Sequence, residues 1–260
     1  MRREVASRMD ERLSLVKLDP EFILDAGCGS ADDMPALARR FDGSRVLGLD
    51  MSWPVLDGVK HAYRESGTIA GYVCGNFAEL PLEKDSIDVI WSNLALHWHP
   101  EPVQVFREWN RVLKPNGLLM FSCFGNGTFE ELKNSFSDID SYSHIHLFEN
   151  MIQLGDGLIE AGFAESVLER ERIDVTYKDV GKLLADVRAF GGNAMSGRLK
   201  GLFGKMGYQK LLKLLEESRD GNGNLSLGFE IIVAHAFKKD DALPAGEKVI
   251  RFYGGDLPES

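Results

Sequence analysis

The first residues whose types and spacing could do chemistry lie in ILDAGCGSADD, where Asp25 is followed by Gly27, Cys28 and Gly29. An apolar run that ends in an acid and passes through two glycines into a helix lets the backbone turn tightly. It also lets it approach a ligand where a Cβ would collide. Dinucleotide sites use similar glycines, but they need GxGxxG with a pyrophosphate resting on the helix N-terminus. Here Gly29 is followed by Ser30, Ala31, Asp32 and Asp33. Two carboxylates at that helix start would repel a pyrophosphate. They suit a ligand that carries a sulfonium and an amino group.

Three more segments extend the pattern. RVLGLDMS closes on Asp50, about twenty residues after the glycines, where an acid at a strand tip can accept both hydroxyls of a ribose. Each such charge-assisted bond is worth roughly 1.5–3 kcal/mol; the plainer alternative is a turn aspartate. In GYVCGNFAELPL, Asn76 could bond the N6 edge of an adenine, with Phe77 beside the ring. IDVIWSNLALHWHP carries Asn93 and Leu94 toward the reacting end of the ligand.

These residues meet only if the segments that carry them alternate as strands and helices of one parallel sheet. FILDAG, RVLGLD, GYVCGN, IDVIWSN and LLMFSCFG are short and apolar enough to be covered on both faces. Helix-period stretches such as DDMPALARRF and PEPVQVFREWNRVL separate them. The expected strands are 22–26, 45–50, 70–75, 87–92 and 117–124, with right-handed crossovers placing helices on both faces. After a helix around 150–162, ESVLERERIDVTY and LGFEIIVAHAF alternate as two late strands without a βαβ rhythm, which suits an addition at the sheet edge. The expected organisation is an N-terminal helix over 1–20, a ligand-binding core over 21–176, a helical cap insertion over 177–222, a last core strand over 223–238 and a flexible tail over 239–260. Val5, Met9, Leu13 and Val16 form one stripe of the N-terminal helix, which either packs on the core or covers the ligand.

A chain of 260 residues with 44% hydrophobic composition can bury one sizeable core. No run of roughly 18 apolar residues is present and the charged opening lacks a secretory apolar stretch, so a cytoplasmic protein without membrane association is expected. Cys28, Cys74 and Cys123 have neither CxxC nor zinc-ligand spacing, so reduced thiols and no metal are expected. The net charge of -10 disfavours nucleic acid. Against it, Met195 to Leu215 holds five cations, Arg198, Lys200, Lys205, Lys210 and Lys213, and no acid. A monomer or weak dimer is the expectation.

The four segments, with RVLKPNG ahead of the fifth strand, resemble the class I S-adenosylmethionine-dependent methyltransferases over about residues 20–125. That resemblance implies an α/β, Rossmann-like seven-stranded sheet with helices on both faces and an antiparallel last strand. It implies that S-adenosylmethionine is held by Asp25, Gly27, Cys28 and Gly29 at the methionine moiety, by Asp50 and Met51 at ribose and adenine, and by Asn76 and Phe77 at the adenine, with Asn93 and Leu94 near the methyl group. Ala31 stands where many members have a third glycine, and Asn76 where many have an aspartate.

REVASRMDERL, SNLALHW, VLKPNGLLMFSCFG, SHIHLF, GGNAMSGRLKGLFGK and FEIIVAHAFK are similar, over about residues 3–238, to the malonyl-acyl-carrier-protein O-methyltransferases of biotin synthesis. That resemblance implies methylation of a malonyl thioester's free carboxylate, with an acyl carrier protein or a small carboxylate as the partner. A carboxylate is already ionised near pH 7, so no acid–base residue is required. A cation is required instead, and Arg198 in the cap is the candidate, because guanidinium pairs bidentately with carboxylate. His97, Trp98 and His144 fall in segments the resemblance places along the substrate channel, as lining and positioning groups. His97 also fits relatives of the complex I assembly factors, which bind the same cofactor, and a methyltransferase of another small acid is a third alternative.

Overall fold

In the computed structural model, which describes residues 1–14, 16–60, 69–142, 144–190 and 204–240, seven strands form a single sheet in the order β3-β2-β1-β4-β5-β7-β6. The first five are β1 (Phe22–Ala26), β2 (Arg45–Asp50), β3 (Ile69–Cys74), β4 (Ile87–Ser92) and β5 (Leu113–Phe124), all parallel. β6 (Phe163–Tyr177) and β7 (Leu225–Lys238) complete the sheet, with β7 antiparallel to both of its neighbours. The expected strand positions hold. β5 starts earlier than LLMFSCFG suggests, because Leu113 already pairs with Ile87 before the register shifts and Asn116 turns at φ 61°.

Strand alternation divides the interior into two cores. Ile23, Val89, Met120, Phe229 and Ile231 face one, which also takes Val5, Met9 and Leu13 of α1 (Arg2–Leu13) and Met34 and Leu37 of α2 (Met34–Arg40). Leu24, Ile90, Phe121, Ile232 and Ala234 face the other, with α4 (Pro102–Val112) and α6 (Met151–Glu160). α4 buries Val105, Phe106, Trp109 and Val112, a single helical stripe. α6 starts at Asn150, whose side chain accepts from the Gln153 amide while Gln153 reaches back, a reciprocal capping box. α3 (Trp53–Lys60) and α5 (Glu130–Ser137) complete the helices before α6.

Val5, Met9 and Leu13 are buried as the stripe requires; Val16 lies past the helix end and is only partly covered. α1 is strapped to both sides of its sheet face. Arg40 of α2 chelates Asp10, and Arg8 and Arg12 pair with Glu171 and Glu169 of the edge strand β6. Ion pairs this exposed add little each, so the buried stripe does most of the fixing.

Between β6 and β7 lie α7 (Val180–Ala189), capped by the Asp179 side chain, and α8 (Lys205–Glu217). They bury Leu183, Leu184, Leu211 and Leu215 in the same core as α1. Residues 191–203, with Arg198 and Lys200, and the tail from 241 onward lie outside the described residues.

Candidate cofactor and acceptor site

Parallel strands of this order bind ligands where the chain reverses direction across the sheet, between the carboxyl ends of β1 and β4. Asp25 and Trp91 are register partners at that point. Past Asp25 the chain turns at Gly27 (φ 81°) and Gly29 (φ 53°), and the Gly27 and Cys28 amides donate to the Leu49 carbonyl at 2.7 and 2.9 Å. A Cβ on Gly27 would stand 2.4 Å from that of Ala95, and only glycine lets β1 and the loop after β4 close this tightly. Ala31 is left-handed at φ 56° and fully buried. The turn therefore keeps its shape despite the Cβ.

Asp50 is built into the same turn. Its Oδ2 accepts from the Gly29 amide at 2.9 Å and its Oδ1 from the Ser52 amide at 2.8 Å. Each oxygen keeps a further lone pair for a hydroxyl. Gly48 lets β2 pass beneath, since a Cβ there would meet Met34 Sδ at 2.8 Å. Asn76 Oδ1 accepts from the Ala78 amide at 3.0 Å, which orients the side chain, and Phe77 lies 3.7 Å from the position of a Gly27 Cβ. Met51 is 68% exposed beside them.

At the other end, Asn93 is buried. Its Oδ1 accepts from Ser122 Oγ at 2.9 Å, while its Nδ2 donates to Asp33 Oδ2 at 2.9 Å and to the Arg2 carbonyl at 3.1 Å. Leu94 is held left-handed at φ 50°, its amide donating to Ser122 Oγ at 2.9 Å. Asp33 does not cap α2; its Oδ2 also takes the Trp91 indole N–H at 3.0 Å. Asp32 is taken up by the Ser30 hydroxyl.

Asp25 is 2% exposed, and among the described residues its Oδ2 is buried without a hydrogen-bond partner. Burial raises its pKa well above the usual carboxylate range, Asp33 and Asp50 push the same way, and Arg2 opposes them. Burial likewise raises the Cys28 thiol, so it is an inert packing group and not a nucleophile. Asp25, Asp33, Asn93 and Arg2 line one crevice. An orphaned buried acceptor and a glycine cradle closed to any Cβ are what a ligand with an ammonium group and a nucleoside requires. The residues fit S-adenosylmethionine.

Beyond Leu94, a short 3-10 helix (Leu96–Trp98) presents His97 and Trp98. His97 lies 4.4 Å from Phe124 and 5.7 Å from Phe148, ring centre to ring centre, and Trp98 is 50% exposed beside it. Burial, with His146 and Arg2 adding repulsion, lowers the His97 pKa to about 3. The ring is neutral near pH 7 and does not serve as a cationic acid. His144 stacks on Phe136 of α5 at 4.3 Å and is bonded to Asp140 at 2.8 Å. Arg198 is not among the described residues.

Sequence reasoning missed Arg2 and Ala95. Arg2 offered no local signal, because only the packing of α1 brings it over Gly29. Ala95 sits beside a recognised segment, and its smallness was the available clue.

A methyltransferase-domain model matches residues 24–121. The malonyl-[acyl-carrier protein] O-methyltransferase of Gallionella capsiferriformans is 38% identical over 244 residues, covering 92% of this chain and 84% of that protein. Among solved structures, the YcgJ protein of Bacillus subtilis superposes with a TM-score of 0.65 at 14% identity, over 90% of this chain and 99% of that one. The [4+2]-cyclase SpnF superposes at 0.56 with 19% identity, over 90% of this chain and 82% of that one. The two structures show the fold alone, and a fold hosts more than one chemistry. The sequence relationship decides the family: this chain belongs to the malonyl-[acyl-carrier protein] O-methyltransferases.

Proposed function

We propose that the protein uses S-adenosylmethionine to methylate the free carboxylate of a malonyl thioester carried on an acyl carrier protein, the step that the resemblance to biotin-synthesis enzymes implies. The observation that carries this reading is the buried, unpartnered Asp25 oxygen beside the glycine turn, in a chain so similar to enzymes named for that reaction.

When bound, S-adenosylmethionine would supply a methyl carbon on a sulfonium: an acceptor carboxylate oxygen bonds to that carbon as its bond to sulfur breaks, and S-adenosylhomocysteine leaves as the neutral thioether. The protein's own part is to position and to exclude water. Asp50 holds the nucleoside and Asp25 the amino group. Leu94, fixed by Ser122, and Asn93, fixed by Ser122 and Asp33, set the floor under the reacting atoms. Neutral His97, with Phe124 and Phe148, forms a wall that carries no competing cation. Trp98 and His144 extend that lining. The helices between β6 and β7 act as a cap, and its Arg198 pairs with the acceptor carboxylate. The cations of that cap, including Lys205, Lys210 and Lys213, favour an acidic carrier as partner. A monomer or weak dimer in the cytoplasm is consistent with this role. Among the described residues no helix is long and apolar enough to cross a membrane.

Mass spectrometry of malonyl-loaded carrier protein after incubation with enzyme and cofactor tests the reading. A gain of one methyl group on the malonyl moiety is expected, falling about tenfold or more in Arg198→Ala with cofactor affinity little changed. Turnover of cofactor on free diacids but not on the carrier would point to a small-acid methyltransferase. Cofactor binding with no turnover on either would favour an assembly-factor-like role.

A further inference from the structure

The crevice at the Asp25 end carries both signs of charge. Asp25, Asp33 and Arg2 all line it, and among the described residues Arg2 has no ion-pair partner. The end of the guanidinium meets the glycine turn: a Cβ on Gly29 would come within 2.9 Å of Arg2 Nη1 and 3.2 Å of Nη2. Its backbone is fixed from below, where Asn93 Nδ2 donates to the Arg2 carbonyl at 3.1 Å. The helix that carries it is fixed by Val5, Met9 and Leu13 in the core and by Asp10 on Arg40.

A carboxylate buried without a partner and a guanidinium without a counter-ion, facing one crevice, complement a zwitterion. Only an α-amino acid end of a ligand offers an ammonium and a carboxylate two bonds apart. Asp50 fixes where the nucleoside must sit, because its Oδ2 is bonded to the same Gly29 amide that Arg2 covers. A ligand whose ribose is at Asp50 and whose ammonium is at Asp25 brings its carboxylate under Arg2. The geometry points to Arg2 as the residue that binds the α-carboxylate of the cofactor's amino-acid end, which makes α1 a wall of the cofactor site and not a packing helix alone. This rests on the cofactor reading above and adds a binding residue to it.

Calorimetric binding of S-adenosylmethionine and of its decarboxylated analogue to the full chain tests the assignment. The analogue keeps the nucleoside, sulfonium and ammonium and lacks only the carboxylate. Arg2→Ala should weaken S-adenosylmethionine binding roughly 10- to 100-fold, as loss of a charge-assisted pair does. It should leave analogue binding unchanged or improved, since a neighbouring cation has been removed. Arg2→Lys should recover part of the discrimination, because the charge remains but the bidentate fork does not. Equal weakening of both ligands, or no weakening of either, overturns the Arg2 role and leaves the cofactor reading standing. A wild-type protein that binds neither ligand overturns both.

Discussion

At the scale of single residues, burying an unpartnered acid at the site costs stability, and a bound cationic group would relieve that cost. Asp25 is the clearest case, a carboxyl group with a raised pKa, an unpartnered oxygen and two further acids nearby. A group whose folded pKa lies above its unfolded value contributes stability that is fully present below the unfolded pKa. That contribution is lost as pH rises through the folded pKa. The ligand-free protein should therefore lose stability as pH rises out of the ordinary carboxylate range, until Asp25 is ionised. Asp25→Asn keeps the shape and removes the charge. It should raise the thermal midpoint of the ligand-free protein at neutral pH by about 2–4 °C for each kcal/mol relieved, and flatten that pH dependence. It should also weaken S-adenosylmethionine binding. Calorimetric melting of both proteins from acid to neutral pH checks this, and a lower midpoint for the variant at neutral pH would refute it.

At the scale of elements, the site depends on how closely the β1 turn and the loop after β4 approach. Gly27 combines a left-handed backbone with a Cβ position 2.4 Å from Ala95 Cβ. Gly27→Ala meets both penalties, and we expect a loss of about 2–4 kcal/mol together with loss of measurable cofactor binding. Adding Ala95→Gly removes the collision but not the backbone strain, so the double variant should recover part of the stability. Denaturant titration of the single and double variants measures the coupling; strictly additive effects would show that the two loops do not meet as described. The same scale explains why α1 matters. Its stripe was legible as amphipathic, but whether it packed on the core or covered the ligand depended on Asp10, Arg40 and the Asn93 bond to Arg2, which join segments far apart in sequence.

At the scale of the whole molecule, a net charge of -10 repels an acidic carrier at long range, so productive encounter needs a local basic surface. α8 supplies Lys205, exposed, and Lys213, paired only loosely with Glu217 at 3.6 Å. Lys210 is already engaged, its Nζ donating to the Asp138 carbonyl. Lys205→Glu with Lys213→Glu should raise KM for malonyl carrier protein several-fold at low salt, on the order of 1 kcal/mol, and the gap should narrow as salt screens it. Turnover of a small malonyl thioester without the carrier should not change. Steady-state kinetics across ionic strengths with both acceptors decide it, and an equal effect on the small acceptor would place these lysines in a different role.

The amino-acid sequence by itself determined the strands, their parallel grouping and the four segments of the cofactor crevice. Each of these is written in local patterns: apolar runs of strand length, an acid at a strand tip, glycines where the chain must turn. Asp25, Gly27, Gly29 and Asp50 stood out because acids at strand tips and glycines at tight turns are the residue types that a ligand at strand ends would require. Only the tertiary structure decided that Arg2 lies on Gly29, that Asp33 turns from its helix to Trp91 and Asn93, that His97 is neutral within an aromatic wall and that His144 stacks on Phe136 of α5. The physical reason is range. Backbone conformation and hydrophobic period act between near neighbours, whereas burial, shifted pKa values and charge complementarity arise only when distant segments share one low-dielectric space.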